Sequence, residues 1–320
     1  MIAEKMTMRD AFIEEVCRRM ASDPALVFLS ADLGSPKLDT LRSDYPDRFI
    51  NVGIAEQNLV NVAAGYALEG FTVYAYAIAP FLVMRAYEQI RNNLSLLSHT
   101  HRVNVNLVGV GSGLSYDVSG PTHHGVEDIS LMRLLPKMTV FSPSDWVLAE
   151  RFVDYTIDVR SPKYLRFDGK PTVNLYDRNA VIDLHSGFST LAEGSGVCIV
   201  STGYMTHTAL RAAEKISQSG IRIGVVDVFL IKPLPEQALY DVLRKYRSVI
   251  TVEEAFVGKG GLDTLVANIL AAGGSDIRLS RMGFGDSYVF TMGVRERLHE
   301  LNGLGEKQIT EEVFRMLAKG

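Results

Sequence analysis

The segment Asn51-Val-Gly-Ile-Ala-Glu-Gln-Asn58 carries the first side chain suited to chemistry. A β-branched run ends there and a helical pattern begins near Ala55, which places Glu56 at the carboxyl end of a strand, where open α/β sheets collect functional groups. A carboxyl in that position can hold or move a proton. An acid in the first turn of a helix is also stabilised by the macrodipole, so the segment alone is compatible with an ordinary helix start. A second candidate is the glycine-rich stretch from Gly109 to Gly125, where glycines let backbone approach a ligand and His123 and His124 titrate near neutrality. Its GxGxG beginning is not a dinucleotide fingerprint, because no third spaced glycine opens a helix and no acid stands clearly at the expected distance. Phe81, Met84 and Tyr87 recur every three residues after Pro80, a spacing that lines one helical face of either a pocket or a core. Arg9 opens the first helical stretch and Arg166 ends the run KYLRF. Arginine suits bidentate binding of phosphate or carboxylate, although a lone surface arginine is ordinarily just solvated.

These residues hang on short apolar runs alternating with amphipathic stretches: LVFLSAD (26–32), FINVGI (49–54), TVYAYAI (72–78), RVNVNLVGV (102–110), MTVFSP (138–143) and KYLRF (163–167). Strands apolar on both faces and separated by helices predict a parallel sheet covered on both sides, an α/β fold. Residues 169–194 mix Pro171, Asn174, Asn179 and Gly187 with scattered apolar residues and read as a linker. A second series follows in GVCIVSTG (196–203), RIGVVDV (222–228), SVITVEE (248–254) and IRLSRMG (277–283), predicting a smaller α/β domain. The expected division is residues 1–185 and 186–320, a comfortable size for two domains in a chain of 320 residues.

Hydrophobic residues at 47% and charged residues at 22% argue against disorder, and a net charge of −4 with no basic run argues against nucleic acid as a partner. The longest apolar run, Thr72 to Met84, is broken by Pro80 and is shorter than the roughly 20 residues that span a bilayer, so no membrane segment is expected. Cys17 and Cys198 fall in apolar patterns that suit packing in a reducing compartment, and the charged start lacks a signal-peptide core, so a cytoplasmic location is expected.

Taken in order, NVGIAEQN followed by AAGYALEG, then GPTHHGVEDISLMRLLPKMTVFSPSD, VVDVFLIKPL and TVEEAFVGKGGL, resemble the C-terminal part of transketolases and their relatives, including 1-deoxyxylulose-5-phosphate synthase. The resemblance covers essentially the whole chain. It implies a pyrimidine-binding domain for thiamine diphosphate followed by a smaller transketolase C-terminal domain. Glu56 matches the glutamate that meets the cofactor's aminopyrimidine ring. A carboxylic acid hydrogen-bonded to the ring nitrogen favours the imino tautomer, whose exocyclic nitrogen removes the thiazolium C2 proton. Phe81 and Tyr87 match aromatic positions of the pyrimidine pocket, Met84 stands where another aromatic is usual, and Asp32 matches an aspartate near the thiazolium. His123 matches the histidine of the GPTH motif, which faces the reacting carbons, with His124 beside it. Arg9 and Arg166 match substrate-phosphate anchors, so the resemblance implies an anionic sugar substrate.

The chain departs from the family pattern in three further places. Gly111 stands where transketolases carry another active-site histidine, Ser119 replaces an aspartate beside the substrate, and Ser35 is offset by about one position from the serine that contacts phosphate. More of the pattern is missing at the diphosphate site. No Gly-Asp-Gly segment followed by a distant asparagine occurs, and Gly285-Asp286-Ser287 lies within the region that matches the last domain. Mg²⁺ favours oxygen ligands shared with phosphate. No metal ligand is therefore assigned to this chain, and the resemblance implies an N-terminal transketolase subunit as partner, in an α2β2 assembly. The implied reaction is transfer of a two-carbon ketol unit from a ketose to an aldose. Alternatives are a decarboxylating acyloin former, because THHG resembles the THQG of deoxyxylulose phosphate synthase, and a 2-oxo acid dehydrogenase β subunit. A regulatory scaffold subunit is the non-enzymatic alternative, against which Glu56, His123 and both arginines argue.

Overall fold

The computed structural model describes residues 5–274 and 276–318, arranged as two α/β units with mainly parallel sheets. The first sheet has seven strands in the spatial order Leu230–Lys232, Thr139–Phe141, Lys163–Phe167, Val105–Val110, Thr72–Ile78, Leu26–Ser30, Phe49–Asn51. All pair in parallel except Leu230–Lys232, which runs antiparallel to Thr139–Phe141. Alternating side chains sort to the two faces. Val27, Leu29, Val73 and Ala75 pack with Leu59, Val60 and Ala63 of the helix Glu56–Leu68. On the opposite face Phe28, Tyr74 and Tyr76 pack with Phe12 and Val16 of the helix Met8–Met20 and Phe152 of the helix Trp146–Asp158. Every one of these side chains is buried, which is why the strands read as continuous apolar runs.

Chain order locates the functional edge. The chain passes from Leu26–Ser30 out to Phe49–Asn51 and then crosses back over it to Thr72–Ile78 on its other side, so the strand order reverses here. This reversal is a topological switch point, and the crevice outside the carboxyl ends of its strands is where open α/β sheets bind ligands. Asp32, Glu56 and Phe81 all follow the carboxyl ends of these three strands.

The second sheet has the order Arg278–Phe284, Ser248–Phe256, Val197–Ser201, Gly224–Val228, Phe188–Ala192. Phe188–Ala192 is its antiparallel edge. Two expectations change here. The stretch 169–194 is not a plain linker: Thr172–Val173 pairs with Lys5–Met6, and Phe188–Ala192 belongs to the second sheet. The second series also returns to the first sheet through Leu230–Lys232, where Lys232 Nζ donates to the carbonyls of Arg133 and Leu135 at 2.9 and 2.6 Å. Edge strands of two to five residues carry too little periodicity to announce themselves.

Candidate active site

Glu56 is the first residue of its helix, at the positive end of the dipole, and the N-cap Ala55 supplies no side-chain bond. It is 3% exposed, and its Oε2 accepts from Arg85 Nη1 at 2.6 Å. Arg85 ends the segment Phe81–Arg85, which is a π turn rather than an α turn. The expected common face of Phe81, Met84 and Tyr87 is consequently divided, because a π turn advances the register by an extra residue. Phe81 is half-buried and meets the His123 ring edge-on at 5.0 Å. Met84 is exposed, and Tyr87 turns away to donate its hydroxyl to the Leu131 carbonyl at 3.1 Å.

The glycine-rich loop brings His123 to this edge. Gly120, with φ 79, precedes the short 3₁₀ turn Pro121–His123, and His123 Nδ1 lies 3.0 Å from the Thr122 hydroxyl. Tyr116 also lies edge-on to the imidazole at 6.3 Å between ring centres. Gly111 has φ 105, and a Cβ there would lie 2.4 Å from the Tyr116 ring. The space that a histidine at this position would need is therefore taken by Tyr116. His124 points inward: it is buried, its Nε2 has no protein partner, and burial pushes its imidazole pKa below the usual value. His123 is the half-exposed member of the pair and His124 the interior one.

Arg9 is half-buried and donates from Nε to Asp10 Oδ1 at 2.8 Å. The Ser35 hydroxyl donates to the same oxygen at 2.9 Å, so Ser35, which is offset from the family serine in an ungapped reading, joins Arg9 at one carboxylate. Burial works against charge on Arg9, but its bond to Asp10 and the field of Tyr76 keep its pKa raised, and Arg9 in turn acts on Tyr116. Asp32 is exposed with φ 56 and accepts from Asn51 Nδ2 at 2.8 Å. Ser119 is exposed on the same loop as His123. Glu56, Arg85, Phe81, His123 and Tyr116 thus form a connected row along the carboxyl edge of the first sheet, with Arg9 in the electrostatic field of Tyr116.

Arg166 does not fit its expected role. It is 2% exposed, and its Nε donates to Asp128 Oδ2 at 2.8 Å while Nη2 donates to the Gly125 carbonyl at 2.9 Å. A fork already engaged in the interior braces the base of the histidine loop and cannot reach a substrate phosphate without rearranging. A second buried network supports the same loop from the other half of the chain. Arg295 donates from Nε to Glu254 Oε1 at 2.9 Å, its main-chain N–H donates to Asp117 Oδ2 at 2.8 Å, and its guanidinium also bonds Asp168. Glu254 further accepts from the Leu114 N–H at 3.1 Å and lies 2.7 Å from His299 Nε2. Burial opposes ionisation of Glu254, but the Arg295 guanidinium and His299 outweigh it and hold this carboxyl well below the usual range.

The edge suits an aminopyrimidine ring. A buried carboxyl stands at the switch point, with a half-buried phenyl ring and an imidazole within one ring contact of each other. The edge is also open rather than enclosed. Ile54, Met84 and Val118, which flank the row in sequence, are 75%, 46% and 63% exposed. A surface cleft of about 800 Å³, lined by Glu14, Lys37 and Arg178 among others, includes none of the row's side chains. Among the described residues no group of three or more His, Cys, Asp or Glu is placed to hold a metal ion, and no helix is long and apolar enough to cross a membrane.

Both units of the chain match domains of known proteins. Residues 4–170 match the transketolase pyrimidine-binding domain and residues 188–309 the transketolase C-terminal domain. One subunit of an apulose-4-phosphate transketolase from Actinobacillus succinogenes is 32% identical over 95% of this chain and 96% of its own. The 6-deoxy-6-sulfo-D-fructose transketolase subunit SqwH from Clostridium sp. (strain MSTE9) is 31% identical over 96% of this chain and 93% of its own. A solved split-gene transketolase, described as an inactive β4 tetramer, superposes with a TM-score of 0.87 at 32% identity, covering 98% of this chain and 99% of that one.

Proposed function

Because the chain belongs to the transketolase family, built of its pyrimidine-binding and C-terminal domains, we propose that it is the pyrimidine-binding subunit of a split, thiamine-diphosphate-dependent transketolase. It moves a two-carbon ketol unit from a ketose to an aldose. The observation that carries this reading is the buried Glu56 carboxyl at the switch-point edge, with Phe81 and His123 in ring contact beside it.

Thiamine diphosphate, when bound, supplies the carbon nucleophile of the reaction. Glu56 would hold the proton at its ring nitrogen, Phe81 and the exposed Met84 would wall the pyrimidine, and Asp32 would serve the thiazolium side. His123 moves a proton at the donor's hydroxyl or carbonyl oxygen. Arg9, oriented by Asp10, anchors the anionic end of the sugar, with Ser119 on the rim. The names of two relatives carry a phosphate and a sulfo group, which favours an anionic sugar for this chain as well. The open site and its exposed apolar flank favour a second chain seated over it, an N-terminal transketolase subunit that supplies the diphosphate region and the oxygen ligands of Mg²⁺, in an α2β2 complex.

Native mass spectrometry of the chain co-expressed with that subunit, with thiamine diphosphate and Mg²⁺ added, tests the assignment. Cofactor is expected only on the heteromer, together with ketol transfer between sugars. Stoichiometric cofactor on this chain alone, or consumption of a 2-oxo acid with release of CO2, would overturn it.

A further inference from the structure

Arg85 belongs to no motif that points to chemistry, yet it touches two side chains of the site. Its Nη1 donates to Glu56 Oε2 at 2.6 Å, and its guanidinium carbon lies 5.2 Å from the centre of the Phe81 ring. Phe81 and Arg85 are the first and last residues of one π turn, a local departure from α geometry that recurs at functional sites. The Glu56 side chain is 3% exposed and that of Arg85 48%, so the cation caps the outer side of a buried acid. A glutamate has three side-chain torsions, and the helix backbone restricts mainly the first of them, so the carboxylate is not fixed by the backbone alone. An ion pair of this length selects one rotamer, and the face of Phe81 restrains the arginine in turn.

We infer that Arg85 is a positioning residue for Glu56. It engages Oε2, so that the other carboxylate oxygen is presented to the ring nitrogen of the cofactor, and it steadies Phe81 as part of the ring wall. This inference rests on the reading that thiamine diphosphate binds at Glu56. Supporting groups of this kind, which touch the working residue rather than the ligand, commonly change affinity or activity by about 10- to 100-fold when removed from metal sites, and the same logic of orientation applies here.

The test is a double-mutant cycle on the chain assembled with its partner subunit. The thiamine diphosphate Kd is measured by equilibrium dialysis in the presence of Mg²⁺ for the unaltered complex, Arg85→Ala, Glu56→Ala and the double variant. Arg85→Ala is expected to weaken cofactor binding by about tenfold with Glu56 present and by less than about twofold with Glu56→Ala, because its effect passes through the carboxylate. Arg85→Lys, which restores the charge, is expected to recover most of the binding and the pH profile of kcat. Should Arg85→Ala not assemble, the near-isosteric Arg85→Gln carries the same comparison. If Glu56→Ala weakens binding and the Arg85 effect adds in full on top of it, the positioning role is refuted while the site assignment stands. If Glu56→Ala leaves the cofactor Kd unchanged, the site assignment itself is wrong and the positioning role falls with it.

Discussion

Arg166 Nε donates to Asp128 Oδ2 at 2.8 Å, and each of these two side chains is only 2% exposed. Asp128 also accepts from the Tyr164 hydroxyl at 2.7 Å, so one carboxylate joins the strand Lys163–Phe167 to the helix Asp128–Leu134 that follows the histidine loop. Removing the cation would leave a buried, uncompensated carboxylate. Arg166→Ala is therefore expected to destabilise the chain by about 3–5 kcal/mol, read from urea denaturation. Arg9, at the open edge, should behave differently: Arg9→Ala raises KM for phosphorylated sugars more than for unphosphorylated ones and leaves the denaturation midpoint nearly unchanged. A selective KM effect from Arg166→Ala at unaltered stability would contradict the interior role.

Glu56 and His123 share the same edge, and the proposed reaction gives them different partners. Glu56→Gln keeps the shape and removes the ionisable group, and kcat of the assembled complex is expected to fall by roughly 10²-fold or more, the range for general acid-base groups. His123→Asn should lower kcat with little change in cofactor Kd, because the imidazole touches the ring wall and not the carboxylate. His124→Asn should act mainly on stability, since that ring is buried. Steady-state kinetics and dialysis on the three variants separate these roles. A His124 variant with the larger kcat loss would reverse the assignment of the pair.

Glu56 and His123 stood out in the sequence for a common reason: each sits in a contiguous motif at a strand end, where position along the chain and position in space coincide. Contacts between distant segments were not legible in this way. Arg85 lies among residues whose spacing suggests an α-helical stripe, and nothing local shows that a π turn brings it to Glu56. Arg166 ends its strand just as an exposed anchor would, and only the fold reveals that Asp128 and the Gly125 carbonyl already occupy it. The Arg295, Glu254, Asp168 and Asp117 cluster joins four separate segments, so no window of sequence contains it. Leu230–Lys232 is followed directly by Pro233, which reads as a turn, and its pairing with Thr139–Phe141 is formed across some ninety residues of intervening chain.

Gly111 is a third point of test, because its conformation and its neighbour both exclude a side chain. A Cβ there would lie 2.4 Å from the Tyr116 ring, and φ 105 is strained for any L residue. Gly111→Ala is expected to cost about 1–3 kcal/mol and to lower kcat by displacing Tyr116 from the face of His123. Combining it with Tyr116→Ala removes the clash and leaves the backbone strain, so the double variant should lose less stability than the sum of the singles. Strict additivity in denaturation experiments would show that the ring is not what excludes the side chain.

Asp227 gives the fold a pH dependence whose sign follows from its surroundings. It is fully buried and accepts from Ser144 at 2.6 Å, Tyr176 at 2.8 Å and Thr206 at 2.9 Å. Burial pushes its carboxyl up to about 7 despite these three hydroxyl bonds, whereas the same group in the unfolded chain titrates near 3.8. Between those two values the folded state keeps a proton that the unfolded state has released. Stability therefore falls as pH rises through that window, and the loss is complete once pH exceeds the folded value. Asp227→Asn removes this titration. The difference in unfolding free energy between the unaltered chain and the variant, measured in urea from pH 4 to pH 8, should decline with rising pH and level off above about 7. A difference that is flat, or that grows with pH, would mean that the folded carboxyl is ionised across the whole range and that the three hydroxyls outweigh its burial.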